Sequence, residues 1–292
     1  MRTLATALAL TITATAPLPA IAADHALAAD HATAAGLRYT ALGDSFVAGP
    51  LIPTQHGLLG CLRSDHNYPS LVATSLGATL TDASCTGAET TDITHRQVTP
   101  TGHNAPQIDS VHRDTDLVTL GIGGNDVGFS RVLIRCAAVS LTSPMGAPCS
   151  GHYHGALDKR IKKTAPKVAS ILRRIHTRAP HARVLVVGYP RLLPDATGCW
   201  PKVPFAAGDV SFLNTTERHM NAMLAKTAAA NNATFVDTYS GTEGHDVCAP
   251  TGSRWVEGVL PTHTAAPAHP NQAGMQQIAT RVRSAFNAAR NT

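Results

Sequence analysis

Aromatic residues are scarce in this chain of 292 residues, since Phe, Trp and Tyr together make up 4% of it. Proteins that hold single-stranded nucleic acid stack its bases on aromatic side chains, and the chain has too few for such a platform. The formal net charge of +5 therefore does not indicate a nucleic-acid partner. Part of that charge lies within residues 158–180, which read as a helix with a solvated basic face.

Long hydrophobic runs are missing beyond the N-terminus. A membrane-spanning helix needs about 18 or more consecutive apolar residues, so we expect no integral membrane segment. The N-terminus itself carries Arg2, an uncharged apolar stretch and small residues ending at Ala22, a pattern typical of a secretory signal. We predict a signal peptide over residues 1–22, a disordered lead-in over 23–36, and secretion.

Linkers are also missing, because no Gly/Ser-rich or Pro-rich stretch and no fixed-period repeat divides residues 37–292. This range is predicted to form a single domain. The chain has no Cys-x2-Cys pair and no tight Cys/His cluster, so we expect no metal site.

An even number of cysteines in an exported chain indicates disulfides. The cysteines are Cys61, Cys85, Cys136, Cys149, Cys199 and Cys248. Six cysteines allow fifteen pairings, of which sequential pairing is the simplest.

Short, continuous apolar runs alternate with helical patterns along the chain. The runs cover residues 37–42, 116–123, 182–188 and 233–238. Helical spacing follows over about 157–178, about 211–231, and from residue 271 to the end. Apolar runs of this length fit strands that are buried on both faces of a parallel sheet. The alternation predicts an α/β fold with a mainly parallel central sheet.

The stretch YTALGDSFVAGP, residues 39–50, places Ser45 directly after the first predicted strand. A serine in this position is either a nucleophile or an N-cap of the following helix. In parallel α/β sheets, ligands bind beyond the carboxyl ends of the strands, where Ser45 lies. Asn125, in GIGGNDVGF, follows the next clear strand and is expected at the same edge.

Two further segments offer groups for the same edge. Gly87 lies in the small-residue turn CTGAET, where a backbone N–H is accessible to a substrate. His269 precedes Pro270 and the last helix, so its imidazole is expected to turn back toward the sheet. Each residue alone has an ordinary structural explanation, as a turn glycine or a surface histidine.

The blocks GDSFVAG, CTGAETTDI, GIGGNDVGF and HPNQAGM together resemble the SGNH (GDSL-type) hydrolases, in particular their secreted actinobacterial lipase, esterase and phospholipase A1 branch. GHDVC and RWVEG extend the resemblance, which runs from about residue 37 to 290. It implies a three-layer α/β/α sandwich of flavodoxin-like topology and three sequential disulfides. It also implies Ser45 as nucleophile, His269 as base, and an oxyanion hole formed by the N–H groups of Ser45 and Gly87 with the Asn125 side chain.

One position departs from the family pattern. The wider family carries Asp three residues before the histidine, where this chain has Ala266. We expect the backbone carbonyl of Ala266 to orient His269, as in some members of the actinobacterial branch. A distant carboxylate, Asp246 or Asp237, is the alternative.

Other side chains compete less well for a role in the site. His263 is the nearest rival to His269 as base but lacks the following Pro and helix. Asp44 is expected to set the turn before Ser45. The His152 and His154 pair has no evident third metal ligand.

The resemblance implies a secreted serine esterase or lipase that hydrolyses carboxylic esters, with lipid acyl esters first, through an acyl-enzyme and without a cofactor. A phospholipase A1 and a carbohydrate acetyl esterase are the enzymatic alternatives, and an inactive hydrolase fold that binds a surface is the non-enzymatic one. The loops at residues 49–61 and 198–205 are candidate walls of an acyl pocket. We expect a monomer that touches lipid surfaces transiently.

Overall fold

The structure, a computed structural model, describes residues 36–195 and 197–288. The predicted signal peptide, and all of the predicted lead-in except Gly36, lie outside the described residues. The strands are β1 (Arg38–Gly43), β2 (Gln55–His56), β3 (Arg63–Ser64), β4 (Thr79–Asp82), β5 (Gln97–Thr99), β6 (Gly102–Asn104), β7 (Leu117–Gly121), β8 (Arg183–Val187) and β9 (Thr234–Val236). The helices are α1 (Ser45–Ala48), α2 (Tyr68–Leu76), α3 (Thr90–Thr94), α4 (Gly124–Val127), α5 (Phe129–Ser140), α6 (Pro148–Tyr153), α7 (Ala156–Arg178), α8 (Ala207–Ala229) and α9 (Gln272–Ala288). Among the described helices, none combines the length and apolarity that crossing a membrane requires.

Five strands form the central sheet in the order β4-β1-β7-β8-β9, and every neighbouring pair is parallel. Numbered within the sheet, the order is 2-1-3-4-5, the flavodoxin-like arrangement of doubly wound folds. The chain reverses direction along the sheet after β4, so the crevice between β1 and β7 lies at the topological switch point. That crevice is where such folds bind their ligands.

Helices cover both faces of the sheet, as a parallel sheet requires. On one face, Tyr39, Leu117 and Leu185 pack with residues of α2 and α9. On the other face, Leu120 and Val186 pack with residues of α7 and α8. Successive side chains along each strand point to opposite faces and enter both cores, so these strands appear in the sequence as continuous apolar runs.

Strand β4 was not among the predicted strands. Its sequence Thr-Leu-Thr-Asp is half polar, and its residues are partly exposed because it forms one edge of the sheet. An edge strand covered on one side gives a weaker apolar signal than a central strand. The two-stranded sheets β2-β3 and β5-β6 were not predicted either, because their strands are only two or three residues long.

Three disulfides join the cysteines in sequential pairs: Cys61–Cys85, Cys136–Cys149 and Cys199–Cys248. The first ties the loop after β2 to the segment after β4. The second joins α5 to α6, and the third joins the loop at residues 198–205 to the segment before residue 249. All six cysteines lie outside the strands of the central sheet, and the loops closed by the first and third bridges contain its two edge strands, β4 and β9.

The end of β1 lies very close to the end of β7. Gly43 pairs in register with Gly121, and a Cβ atom on Gly43 would lie 2.3 Å from the Gly121 carbonyl oxygen and 2.3 Å from a methyl group of Val47. No real Cβ contact is that short, so position 43 accepts only glycine without a backbone shift. This close approach brings the first turn of α1 against the end of β7.

Replacing Gly43 with Ala is expected to lower the free energy of unfolding by about 1–3 kcal/mol, the usual cost of overpacking. Thermal unfolding would report the loss. Gly151→Ala serves as the control, because nothing lies within 4 Å of the added methyl group. Equal melting temperatures for the two variants would contradict the close packing of β1 against β7.

Candidate active site

Ser45 is the first residue of α1 and is not its N-cap. The cap is Asp44, whose carboxylate accepts a hydrogen bond of 2.9 Å from the backbone N–H of Phe46. This leaves the Ser45 hydroxyl free to bond elsewhere, and only 6% of Ser45 is exposed. The helix-cap explanation for this serine is therefore wrong, because its neighbour fills that position.

The Ser45 hydroxyl bonds to the imidazole of His269. The distance from Oγ to Nε2 is 2.7 Å across 224 residues of sequence. The ring of His269 also lies 4.8 Å, centroid to centroid, from the ring of Phe46. The first turn of α1 therefore contacts His269 through both a hydrogen bond and a packed aromatic ring.

The carbonyl that faces the other ring nitrogen belongs to Pro267, at 2.8 Å from Nδ1 of His269. The expectation that Ala266 fills this role is wrong. The Ala266 carbonyl instead accepts the backbone N–H of His269 at 3.2 Å. Ala268 has a left-handed backbone with φ of 57°, and this turn directs the carbonyl two residues before His269, not three, at the ring.

A carbonyl oxygen only accepts hydrogen bonds, so Nδ1 of His269 carries the proton and Nε2 is left to accept from Ser45. Burial lowers the pKa of His269 below its usual value, and the bond to the Pro267 carbonyl partly opposes this shift. The imidazole therefore stays neutral, as a general base must be, to a lower pH than an ordinary histidine does.

Neither of the distant carboxylates considered from the sequence bonds to His269. Asp246 accepts the backbone N–H of Cys248 at 2.8 Å. Asp237 accepts the N–H groups of Tyr239 and Ser240. Both carboxylates shape local turns.

Asn125 lies in the first turn of α4, after β7. Its side-chain Nδ2 donates a 2.9 Å hydrogen bond to the carbonyl of Ala88. Ala88 directly follows Gly87, whose φ of 79° marks the tight turn expected there. The amide of Asn125 thus holds the Gly87 turn from the neighbouring strand end.

A second tie fixes the same two segments. The carboxylate of Asp126 accepts from the N–H of Thr90 at 2.8 Å and from its hydroxyl at 2.5 Å. Lys167 pairs with the same carboxylate at 2.9 Å. The turn of Gly87 and the first turn of α4 are therefore joined by three hydrogen bonds.

Tyr189 links the start of α4 to the cap of α1. Its hydroxyl donates to the second oxygen of Asp44 at 2.6 Å and accepts the backbone N–H of Gly124 at 2.8 Å. Burial raises the pKa of Asp44 to about 7, although the bonds from Tyr189 and from the Phe46 N–H oppose the shift. Burial and the nearby Asp44 also raise the pKa of the Tyr189 hydroxyl, which stays protonated and able to donate.

A buried carboxylate anchors the loop that carries His269. Glu257 accepts hydrogen bonds from the Asn271 amide, the Thr262 N–H and the ring of His263. Burial alone would raise the pKa of Glu257, but these bonds outweigh it and lower the pKa to about 2. The backbone of Glu257 also pairs with the backbone of residues 268 and 269. His263, the rival base, is thus bonded to Glu257 at 2.7 Å and not to Ser45.

A cavity of about 490 Å³ opens beside Ser45, Asn125 and His269, which all line it. Gly87 is not among its lining residues. Most of the lining is apolar and comes from α1, α4, α5, α8 and the two connections β8–α8 and β9–α9: Phe46, Val127, Phe129, Leu133, Ile134, Ala137, Leu192, Val203, Phe205, Met220, Val247 and Val259. The loop at residues 198–205 therefore contributes to this wall, while the loop at 49–61 does not.

One acidic side chain stands in the wall formed by α8. Glu217 is 3% exposed, and its carboxylate accepts only the backbone N–H of Leu192, at 3.2 Å. Burial raises its pKa to about 8. Burial disfavours the charged form of this carboxyl, and the rest of the lining is mostly apolar apart from Asp44, Glu257 and the polar groups beside Ser45.

Metal ligands are not grouped in this region or elsewhere in the described part of the chain, where no three His, Cys, Asp or Glu side chains surround a common point. His152 lies in α6, and His154 follows that helix in a left-handed conformation. The chemistry available at the cavity is that of a hydroxyl, a neutral imidazole and an amide.

Sequence reasoning missed three groups of the site: the Pro267 carbonyl, Tyr189 and Glu257. Tyr189 lies two residues after β8, so it stands near a strand end like the residues that were predicted. Glu257 lies in RWVEG, a stretch that resembles the family but suggests no chemistry by itself. Neither its burial nor its partners are indicated by any local pattern in the sequence.

Residues 41–277 match the GDSL-like Lipase/Acylhydrolase family. The chain is 40% identical over 249 residues to Lipase 2 of Streptomyces coelicolor, across 83% of each chain. It is 31% identical over 243 residues to a lipase of Streptomyces rimosus, across 82% of each chain. The crystal structure of phospholipase A1 from Streptomyces albidoflavus NA297 matches with a TM-score of 0.72 at 26% identity, over 87% of this chain and 99% of that one. The predicted fold and family are confirmed: the chain belongs to the GDSL-like lipase/acylhydrolase family and is a carboxylic ester hydrolase.

Proposed function

We propose that the protein hydrolyses lipid acyl esters through a covalent acyl-enzyme on Ser45, with His269 as the general base. The observation that carries this proposal is the 2.7 Å bond between the Ser45 hydroxyl and Nε2 of His269 at the edge of an apolar cavity. A nucleophile and base within hydrogen-bond reach, with the base oriented by a third group, are the minimum set for covalent ester hydrolysis.

In the first half-reaction, Oγ of Ser45 attacks the ester carbonyl carbon while Nε2 of His269 takes the hydroxyl proton. The tetrahedral intermediate collapses, the bond to the leaving oxygen breaks, and His269 returns the proton to the alcohol. In the second half-reaction, a water molecule gives its proton to His269 and attacks the acyl carbon. The acid is released and the proton returns to Ser45.

The negative oxygen of the intermediate needs donors that are already aimed at it. We assign this role to the backbone N–H groups of Ser45 and Gly87 and to the side chain of Asn125. The N–H of Ser45 belongs to the first turn of α1, where backbone donors have no acceptor within the helix. Asn125 uses one Nδ2 hydrogen on Ala88 and has a second for the substrate.

The Pro267 carbonyl fixes the tautomer and direction of the His269 ring. It is a neutral acceptor, so it stabilises the protonated imidazole less than a carboxylate would. We therefore infer a serine–histidine dyad with support from the main chain, in place of a three-residue triad.

The cavity supports an acyl chain as the group that enters beside the dyad. Its mostly apolar lining favours a hydrocarbon over a sugar, which needs many hydrogen-bonding partners. A lipid ester therefore ranks above the carbohydrate acetyl ester considered from the sequence. The name of the Streptomyces albidoflavus relative makes phospholipids the first lipid class to test. Export is proposed as well, because three disulfides are typical of oxidising compartments.

The chain-length preference tests the proposal directly. Hydrolysis of p-nitrophenyl esters from acetyl to palmitoyl is expected to peak at medium or long chains and to vanish in Ser45→Ala. An optimum at acetyl would favour the carbohydrate esterase. Equal background rates for the wild type and Ser45→Ala on every ester would contradict the esterase mechanism at Ser45.

Asn125→Ala is expected to lower kcat by about 100- to 1,000-fold with little change in KM, as for the loss of one oxyanion donor. Steady-state kinetics on the best ester would measure it. The control is Asn231→Ala just after α8, since Asn231 does not line the cavity and its amide bonds only to the Thr227 carbonyl and to Arg173 of α7 among the described residues. A kcat for Asn125→Ala within a few-fold of wild type would refute the assigned donor.

Tyr189→Phe is expected to lower kcat by about tenfold while KM stays close to wild type. The variant leaves the N–H of Gly124 and one oxygen of Asp44 without partners, at about 1–3 kcal/mol for each buried group. Its melting temperature should therefore also fall. A variant that melts lower but keeps full kcat would show that the bond network stabilises the fold without positioning Asn125.

A further inference from the structure

The mouth of the cavity is formed by those lining residues that are also exposed to solvent: Ser130, Ile134, Val259 and Pro267. We call these four residues the rim. Ser130 and Ile134 belong to α5, and Val259 and Pro267 belong to the loop between Gly258 and His269. The rim contains no charged side chain, although it is the boundary between the cavity and water.

Large apolar side chains stand out at the rim. Ile134 is 72% exposed and Val259 is 45% exposed, and Leu260, next to Val259, is 82% exposed. Single exposed hydrophobic residues are common on protein surfaces, but a group beside the mouth of an apolar cavity indicates contact with an apolar phase. Hydrocarbon leaving such a phase would pass from one apolar surface to another without crossing water.

The charged side chains within the two segments that supply the rim are arginines, and Glu257, just before one of these segments, is buried and bonded to His263. Residues 127–157 and 258–288 supply both sides of the rim, and neither range contains Asp or Glu. Arg131 and Arg135 are exposed and share one face of α5 with Ile134, by their spacing of three and four residues. An exposed apolar patch flanked by arginines fits a surface of anionic head groups over hydrocarbon.

We propose that the rim, together with Leu260, Arg131 and Arg135, is a docking site for a lipid surface that carries anionic head groups. The apolar side chains enter the boundary between head groups and acyl chains, and the two arginines lie at the level of the phosphates. Docking in this way would present the cavity mouth to the acyl chains. This inference rests on the proposed function, which places an acyl chain in that cavity.

Vesicle binding tests the docking site apart from catalysis. Ser45→Ala protein is sedimented with vesicles of phosphatidylcholine alone, and with vesicles of phosphatidylcholine and phosphatidylglycerol in equal amounts. It is expected to bind the mixed vesicles more tightly.

Adding Leu260→Ser should lower the partition coefficient about tenfold on both vesicles, from the lost burial of one leucine side chain. Adding Arg131→Gln with Arg135→Gln should lower it about 20-fold on the mixed vesicles and hardly at all on phosphatidylcholine.

The controls remove an exposed apolar side chain or two exposed arginines elsewhere on the surface. Val98→Ser removes an apolar side chain that is 76% exposed on β5. Arg173→Gln with Arg174→Gln removes two exposed charges from α7. Both controls should bind vesicles as the Ser45→Ala protein does. Equal binding by the control and rim variants, or no vesicle binding at all, would overturn the docking site.

Two measurements separate failure of the docking site from failure of the proposed function. In the active enzyme, Leu260→Ser and the double arginine variant should hydrolyse a dissolved p-nitrophenyl ester at the wild-type rate and vesicle phospholipid more slowly. Ester hydrolysis that depends on Ser45, without vesicle binding, would leave the esterase and remove the docking site. If Leu260→Ser instead converts a dimer to a monomer in size-exclusion chromatography, this face is an interface between copies of the chain, and the proposal is wrong.

Discussion

The buried carboxyl group of Asp44 is the interaction on which the other groups of the site depend. One oxygen caps α1 and so makes Ser45 the first residue of that helix. The other accepts the hydroxyl of Tyr189, which in turn holds the N–H of Gly124, next to Asn125. A single side chain thus sets the distance between the proposed nucleophile and the proposed oxyanion donor. Burial of this group is unfavourable for its charged form, as its pKa of about 7 shows.

This network is possible because the sheet brings two strand ends together. Gly43 and Gly121 are paired neighbours, and the absence of side chains lets the segments after them approach. Parallel strands end at the same edge, so the residues that follow each strand can combine into one site although they are distant in sequence. The His269 loop closes the site from the other side, held by Glu257 through both its carboxylate and its backbone.

The parts of the fold that could be predicted from sequence are those that carry a dense apolar signal. Strands β1, β7 and β8 are covered on both faces and were found within one or two residues, whereas the edge strand β4 is half polar and was not. The bonded pair Ser45 and His269 was found because both belong to recognisable blocks. Their roles in catalysis stay a prediction.

What escaped sequence analysis depends on geometry that residue types do not encode. The choice between the carbonyls of residues 266 and 267 follows from the left-handed φ of Ala268, an uncommon conformation for alanine. Tyr189 acts on a residue 145 positions away, and no local pattern indicates such a partner. Glu257 is a buried charge whose partners become visible only when the loop is folded.

The group that orients His269 is a main-chain atom, and this limits what site-directed mutagenesis can test. Every amino acid at position 267 supplies the same carbonyl, so no substitution deletes it and alanine scanning passes over it. The constraint falls instead on the conformation of position 268, which glycine and asparagine adopt more readily than alanine. The requirement at this loop is therefore on backbone shape and not on side-chain identity, the reverse of the requirement on an aspartate in a triad.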